Sequence, residues 1–445
     1  MSTKLIARDL CLAPERVGDS VYGGRYRRLF ENLPPLDSED EALHALGSPG
    51  GICDDDADRS TDGEMAAGWP FFGQFVAHDI TADRSPLGHH ADPDRVKNFR
   101  TPRANLEGMY GAGPTGSPYL FQKDDPAKLL LGEGDHDVPR NHEGIALVGD
   151  QRNDTHLFMN QMQVGFIRTH NLIVDRLRED GVEEADVFDD ARRATTWHYQ
   201  WVILMEFLPL LVGAELMAEL LDGGAKVFRP GDDPFIPFEF ADAAYRYGHS
   251  QVRDAYRVNR DFGPVPVFPD LMGFDAVPVG HAIDWTLQFD FPGLEPAQRS
   301  KKIDGKLPRS LISLPRQISG EDEGSAYSSL ANRDLQRGQG VGLPSGEAVA
   351  RELGVEPLSP DQVGLAEAGW EQETPLWLYL LKEAEALEDG DRLGPVGGRI
   401  VGEVLVGIID ADPESFRSVD PSWRPTLPSH DAGVFGIADL LVPVQ

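Results

Sequence analysis

Gln74 and His78 stand four residues apart in Gly73-Gln74-Phe75-Val76-Ala77-His78-Asp79. On a helix this spacing brings an amide and an imidazole to one face. Asp79 then points about a quarter-turn away, into a different environment. An imidazole can take up and return a proton near neutral pH, although a histidine in an apolar helix is more often a satisfied core residue. A second group is Asp150-Gln151-Arg152-Asn153-Asp154, directly before a long helical stretch. Arg152 would sit near a helix N-terminus, where the helix dipole disfavours a cation. Its presence there suggests a task, and a surface arginine paired with Asp150 or Asp154 is the alternative. The third group is Tyr245-Arg246-Tyr247-Gly248-His249, in which glycine lets another group approach the backbone beside the histidine. The fourth, Arg333-Asp334-Leu335-Gln336-Arg337-Gly338 with Gly342-Leu343-Pro344-Ser345-Gly346, also reads as a helix end with a Gly/Pro stop.

These groups need elements to position them. Residues 66–83 carry a helical apolar pattern at Phe71, Phe72, Phe75 and Val76, and Trp69-Pro70 fits a helix start. The pattern is strongest from about His156 to Asp180, with Leu157, Val164, Ile167, Leu172 and Ile173 at helical intervals. Residues 185–220 predict a second, buried helix. Helical pattern returns near 239–249, 325–352, 360–385 and 395–410. Residues 84–145 are dense in Gly, Pro and Asp and predict long loops. Alternating strands are scarce. The expectation is a mainly α protein with long functional loops and little β: an irregular N-terminal arm over 1–60 and one large helical domain over 61–445.

The bulk properties narrow the function classes. The chain has 445 residues, 40% hydrophobic and 26% charged, with 47 glycines and 34 prolines, as suits a globular protein rich in turns. Its formal charge of −33, from 74 acidic and 41 basic residues, repels nucleic-acid phosphates and anionic lipid. Two cysteines, Cys11 and Cys53, make neither a disulfide framework nor a CxxC zinc site. The N-terminal segment lacks an apolar core of signal-peptide type, so a cytoplasmic location is the default expectation. The longest apolar stretch, about Trp201 to Val212, is interrupted by Glu206 and Pro209 and is too short to span a membrane. His89-His90 lies in a polar loop, and adjacent histidines chelate one ion poorly.

In this order and at these separations the four groups resemble the animal-type haem peroxidase superfamily, the family of myeloperoxidase and thyroid peroxidase, and its bacterial members most closely. The resemblance spans about residues 65–412. It implies the family's helical fold and a peroxidase that reduces hydrogen peroxide through an oxoferryl intermediate while oxidising a small organic or (pseudo)halide donor. GQFVAHD matches the distal helix, making His78 the distal acid/base and Gln74 its halide- or water-contacting neighbour. GDQRND makes Arg152 the distal arginine. YRYGH makes His249 the iron ligand. RDLQRG places Asp334 where the family usually has an asparagine that orients that histidine. Arg246 and Arg337 match arginines near a haem propionate. An aspartate at 334 is a stronger acceptor and should give the imidazole more imidazolate character.

The chain also departs from the pattern. Ala77 and Thr155 occupy the two positions that supply ester-forming carboxylates in mammalian members, and His156 the position of a linking methionine, so non-covalent haem b is expected. The family's calcium site maps onto Asp79, Thr101, the Arg103 carbonyl, Asn105 and Glu107, an all-oxygen set. Asn105 stands for an aspartate and Glu107 for a shorter residue. Three rival readings remain open. A haem-dependent fatty-acid dioxygenase would need a tyrosine three residues before the proximal histidine, where Arg246 stands. A non-enzymatic haem-binding or adhesive module would not need the distal pair. Catalase-like turnover would use the same groups.

Overall fold

The computed structural model describes residues 24–55, 61–82, 96–231, 234–322 and 324–444. Cys11, His89-His90 and residues 1–23 of the N-terminal arm lie outside the described residues. The fold is mainly α, as expected. The arm's described part is more ordered than its composition predicts. Strand β1 (Gly24–Arg27) pairs antiparallel with a two-residue strand at Lys97–Asn98 and parallel with one at Ile236–Pro237. Helix α1 (Asp40–Gly47) buries Leu43 and Leu46. Together with Tyr26, Phe30 and Cys53 these residues join the main core, so residues 24–55 are part of the domain and not an appendage to it.

Helix α2 (Trp69–Ile80) starts where Trp69-Pro70 predicts, because Pro70 gives up only an N–H that has no partner in the first turn. Its buried face carries Phe72, Phe75, Val76 and Ile80. Among the described residues the longest helix is α3 (Leu157–Glu179), which packs against α4 (Glu184–Val202). The single helix predicted over 185–220 is broken. A π turn spans Ile203–Phe207, just before Pro209, whose missing N–H cannot pair a carbonyl four residues back. Gly213, at φ 87°, then ends the run before a further helix at Ala214–Leu221.

The stretch predicted over 239–249 is three short pieces, Phe238–Ala241, a 3₁₀ turn at Ala244–Arg246, and α5 (Gly248–Gln251). Likewise 325–352 divides at Gly342-Leu343-Pro344 into α6 (Leu330–Gly340) and a helix at Gly346–Glu352. The prediction over 360–385 yields only short turns before α7 (Leu376–Glu388), since Thr374-Pro375 favours extended backbone. Helix α8 (Pro395–Ala411) matches its prediction closely. Among the described residues the strands have two to five residues; the longest, Asp62–Ala66, pairs with Arg299–Lys301. No helix of the described residues is long and apolar enough to cross a membrane.

Candidate active site

Helix α2 turns Gln74, Ala77 and His78 towards a cavity of about 410 Å³, which His249 and Arg246 also line. The four sequence groups lie far apart in the chain. Three of them meet at this cavity, and the fourth, through Asp334, stands directly behind it.

His78 is buried, and its Nδ1 lies 2.8 Å from Asn153 Oδ1. Asn153 donates its own amino group to Gln163 Oε1 at 3.0 Å, which fixes its oxygen towards the histidine. His78 Nδ1 therefore carries the proton, and Nε2 is left as a bare acceptor. Burial, helped by the nearby Arg152 charge, pushes its pKa down to about 3, so the ring is neutral in neutral solution. Asn153 stands inside the second group without an assigned role, and Gln163 lies in no motif; both matter because the 3₁₀ turn at Gln151–Asp154 packs against α2.

Arg152 is less awkwardly placed than its position before α3 suggests. Its Nη2 donates to the carbonyls of His78 at 2.9 Å and Thr81 at 2.7 Å, at the C-terminal end of α2, where the helix dipole welcomes a cation. Asp150 clasps its Nε and Nη2 at 3.0 and 2.7 Å. The pairing with Asp150 is thus correct, and Arg152 lines the cavity as well. Asp150 also accepts from buried Arg100 Nη2 at 2.6 Å. Burial alone would raise the Asp150 carboxyl; hydrogen bonds and charge from Arg152, then Arg100, outweigh it and hold the group below the usual carboxylate range. Asp150→Ala should therefore cost about 3 kcal/mol of stability, because it takes the nearest carboxylate from buried Arg100, which keeps only the Gly149 carbonyl and Glu107 at 3.3 Å. Denaturant unfolding measures this, and a loss below about 1 kcal/mol would mark the pair as no stronger than a surface one. The sign with pH follows from the depressed folded pKa. The contribution is present above the unfolded value of about 3.9 and is lost as pH falls through the folded one.

In the third group, His249 Nδ1 lies 2.6 Å from Asp334 Oδ2. This leaves Nε2 for the cavity. Asp334 is fully buried, and its other oxygen accepts from Arg246 Nη1 at 2.9 Å. Burial would raise this carboxyl, but the His249 and Arg246 charges and hydrogen bonds lower it. Arg246 also reaches Asp242 and the Ala241 carbonyl. Arg337 pairs with Asp242 at 3.3 Å and is not among the residues lining the cavity. Arg246 lies on the cavity wall, with its guanidinium engaged by Asp334 and Asp242. Tyr245 and Tyr247 both line the cavity, although a continuous helix would have turned them elsewhere.

The cavity suits a haem on three observations. Two imidazoles from separate elements, His78 and His249, line it, each with its Nδ1 already bonded. Leu311, Leu314, Ile318 and Phe268 add an apolar wall. Ala77 and Thr155 also lie on the wall and offer no carboxylate. Behind His78, Asp79 is buried. Its Oδ2 accepts the Leu106 N–H at 2.9 Å, while Oδ1 has no hydrogen-bond partner. Burial, with the charge of Glu107, pushes this carboxyl up to about 7. Thr101 Oγ1 donates to Glu107 Oε2 at 2.9 Å, and Asn105 Oδ1 accepts the Glu107 N–H at 3.2 Å. The Arg103 guanidinium pairs with Asp412. No three His, Cys, Asp or Glu residues converge on a metal position among the described residues. A cation beside Asp79 would draw on hydroxyl, amide and carbonyl oxygens, a mixture calcium accepts.

The family model described as animal haem peroxidase matches residues 90–359. The chain is 25% identical over 311 residues to a chorion peroxidase of Aedes aegypti, covering 66% of this chain and 37% of that one. It is 26% identical over 281 residues to peroxidasin of Drosophila melanogaster, covering 60% and 18%. The chain therefore spans well under half the length of these curated relatives. Peroxidase A of Dictyostelium discoideum superposes with a TM-score of 0.63 at 15% identity, covering 90% of this chain and 89% of that one. The fatty acid alpha-dioxygenase of Oryza sativa does so with 0.60 at 14% identity, covering 86% and 75%. At such identities these two show a shared fold.

Proposed function

The chain belongs to the animal haem peroxidase family, and from that premise we propose that it is a haem-dependent peroxidase that reduces hydrogen peroxide at the expense of a small reducing substrate. The observation that carries this is that one cavity is lined both by His249, backed by Asp334, and by His78, whose Nε2 is bare. His249 Nε2 would hold the iron, and the apolar wall and Arg246 would line the macrocycle. Haem, when bound, supplies the redox centre that takes up the oxidising equivalents of peroxide.

The protein's own groups move the protons. His78 Nε2 accepts the proton from one peroxide oxygen and returns it to the other, which leaves as water. Asn153 keeps the ring in the tautomer that can do this. Arg152 adds positive charge beside the departing oxygen, in a pocket partly shielded from water. Its clasp by Asp150 and the two carbonyls holds it still. Two electrons from the donor, taken one at a time, and the remaining protons complete the reduction to two waters.

Ala77 and Thr155 favour non-covalent haem b. The expected result is peroxide-dependent oxidation of a phenolic donor by the haem-loaded chain, with the pigment passing wholly into acid acetone. Pigment left on the polypeptide would overturn the non-covalent reading. Oxygen release that is unaffected by the phenol would favour catalase-like turnover instead. The fatty-acid dioxygenase reading has the shared fold in its favour, but it lacks the tyrosine that Arg246 replaces. Oxygen uptake with an unsaturated fatty acid and no peroxide would restore it.

Calcium is proposed beside Asp79, with Thr101, the Arg103 carbonyl, Asn105 and Glu107, on the support of the unpartnered Asp79 Oδ1. Calcium binding to the folded form alone should raise Tm by about 3 °C, and chelation should reverse this. A flat titration would remove calcium from the account.

A further inference from the structure

A second imidazole lies on the distal wall, and the roles assigned above leave it without one. His156 caps the start of α3, is 7% exposed, and lines the cavity beside Thr155. Its ring packs against Phe71, with centroids 5.4 Å apart, and its backbone bridges to Met272. These contacts fix the ring plane. Its Nε2 lies 2.9 Å from Gln74 Oε1.

A carboxamide oxygen only accepts, so His156 Nε2 carries the proton. Burial pushes the pKa of this histidine down to about 4, so the ring is neutral and holds one proton in neutral solution. Nδ1 is then bare, and it is buried without a partner. The ring's one donor is therefore committed to Gln74.

The consequence falls on Gln74. With its carbonyl held by His156, its amino group is the part left to offer to the cavity. Gln74 and His78 share the cavity face of α2, so the wall presents an N–H donor at one and a bare nitrogen acceptor at the other. We propose that His156 is a positioning residue: it holds the Gln74 carboxamide with the amino group towards the ligand position, and so makes the distal side receptive to small anions and to the acceptor lone pairs of peroxide. This rests on the haem peroxidase reading above. A freely rotating glutamine would present its carbonyl part of the time and repel an anion. No residue of the chain other than His156 donates to that oxygen among the described hydrogen bonds.

Fluoride is the probe, because it binds ferric haem as an anion and can only accept hydrogen bonds. The haem-loaded full-length chain is titrated with fluoride and followed in the visible spectrum. His156→Phe, which keeps a ring and removes the donor, should weaken fluoride binding roughly tenfold, the effect of one lost hydrogen bond to a charged ligand. His156→Met removes the donor with a more adaptable side chain and should do the same if the phenylalanine variant folds poorly. His156→Gln, which restores an N–H donor, should recover most of the affinity. Gln74→Leu should match the loss, and His156→Phe added to Gln74→Leu should cost nothing more. Unchanged fluoride affinity in His156→Phe or His156→Met, or an equal loss whether or not Gln74 is present, overturns the inference while the haem reading stands. Failure of the wild-type chain to take up haem overturns both.

Discussion

His249→Ala should abolish stable haem uptake, with the Soret band lost on gel filtration. The proximal side offers no substitute: Tyr245 and Tyr247 are buried phenols whose pKa values burial raises, so neither is available as an anionic ligand near neutral pH. Removing the imidazole also strands Asp334, which is fully buried, with Arg246 as its one charged partner. Some loss of stability should accompany the loss of haem, and far-ultraviolet circular dichroism will separate the two. A folded His249→Ala chain that retains a Soret band at wild-type affinity would refute the assignment of the iron ligand.

The second large effect is expected at His78. His78→Ala should bind haem with a near-normal Soret band yet react with peroxide about a thousandfold more slowly, within the range for removal of a positioned acid/base. The proximal contacts of His249 do not involve His78, which is why uptake should survive. Stopped-flow mixing with peroxide reads the rate directly. Wild-type turnover in His78→Ala would sink the proposed proton shuttle. Asn153→Ala, which releases the His78 tautomer without removing the ring, should fall between the two.

Much of this site was legible in the chain. The helical spacing of Gln74 and His78 predicted a shared face, and the shared face lines the cavity. The break in helical pattern at Gly342-Leu343-Pro344 was legible for the same local reason: backbone preferences act over a few residues. The predictions over 185–220 and 360–385 ran too long because apolar periodicity persists across Pro209, Gly213 and Pro375, where backbone chemistry interrupts the hydrogen bonds. Residues 24–55 looked irregular by composition, and only their burial against distant segments reveals Leu43 and Leu46 as core.

Local spacing, helix starts and residue types by themselves determined that this is a mainly α chain, that His78, Arg152 and His249 recur in a family order, and that Ala77 and Thr155 offer no ester carboxylate. Tertiary structure alone decided how each of these is held. Asn153 selects the His78 tautomer, Asp150 clasps Arg152 against the end of α2, and His156 takes the Gln74 carbonyl. It also changed the meaning of Asp334. A lone carboxylate there would push His249 towards imidazolate, but its second oxygen faces Arg246, whose positive charge tempers that push. Apart from the local Asp150–Arg152 contact, these hydrogen bonds join residues 71 to 88 positions apart. Spacing along the chain cannot encode them, because which donor meets which acceptor is settled only when the helices pack.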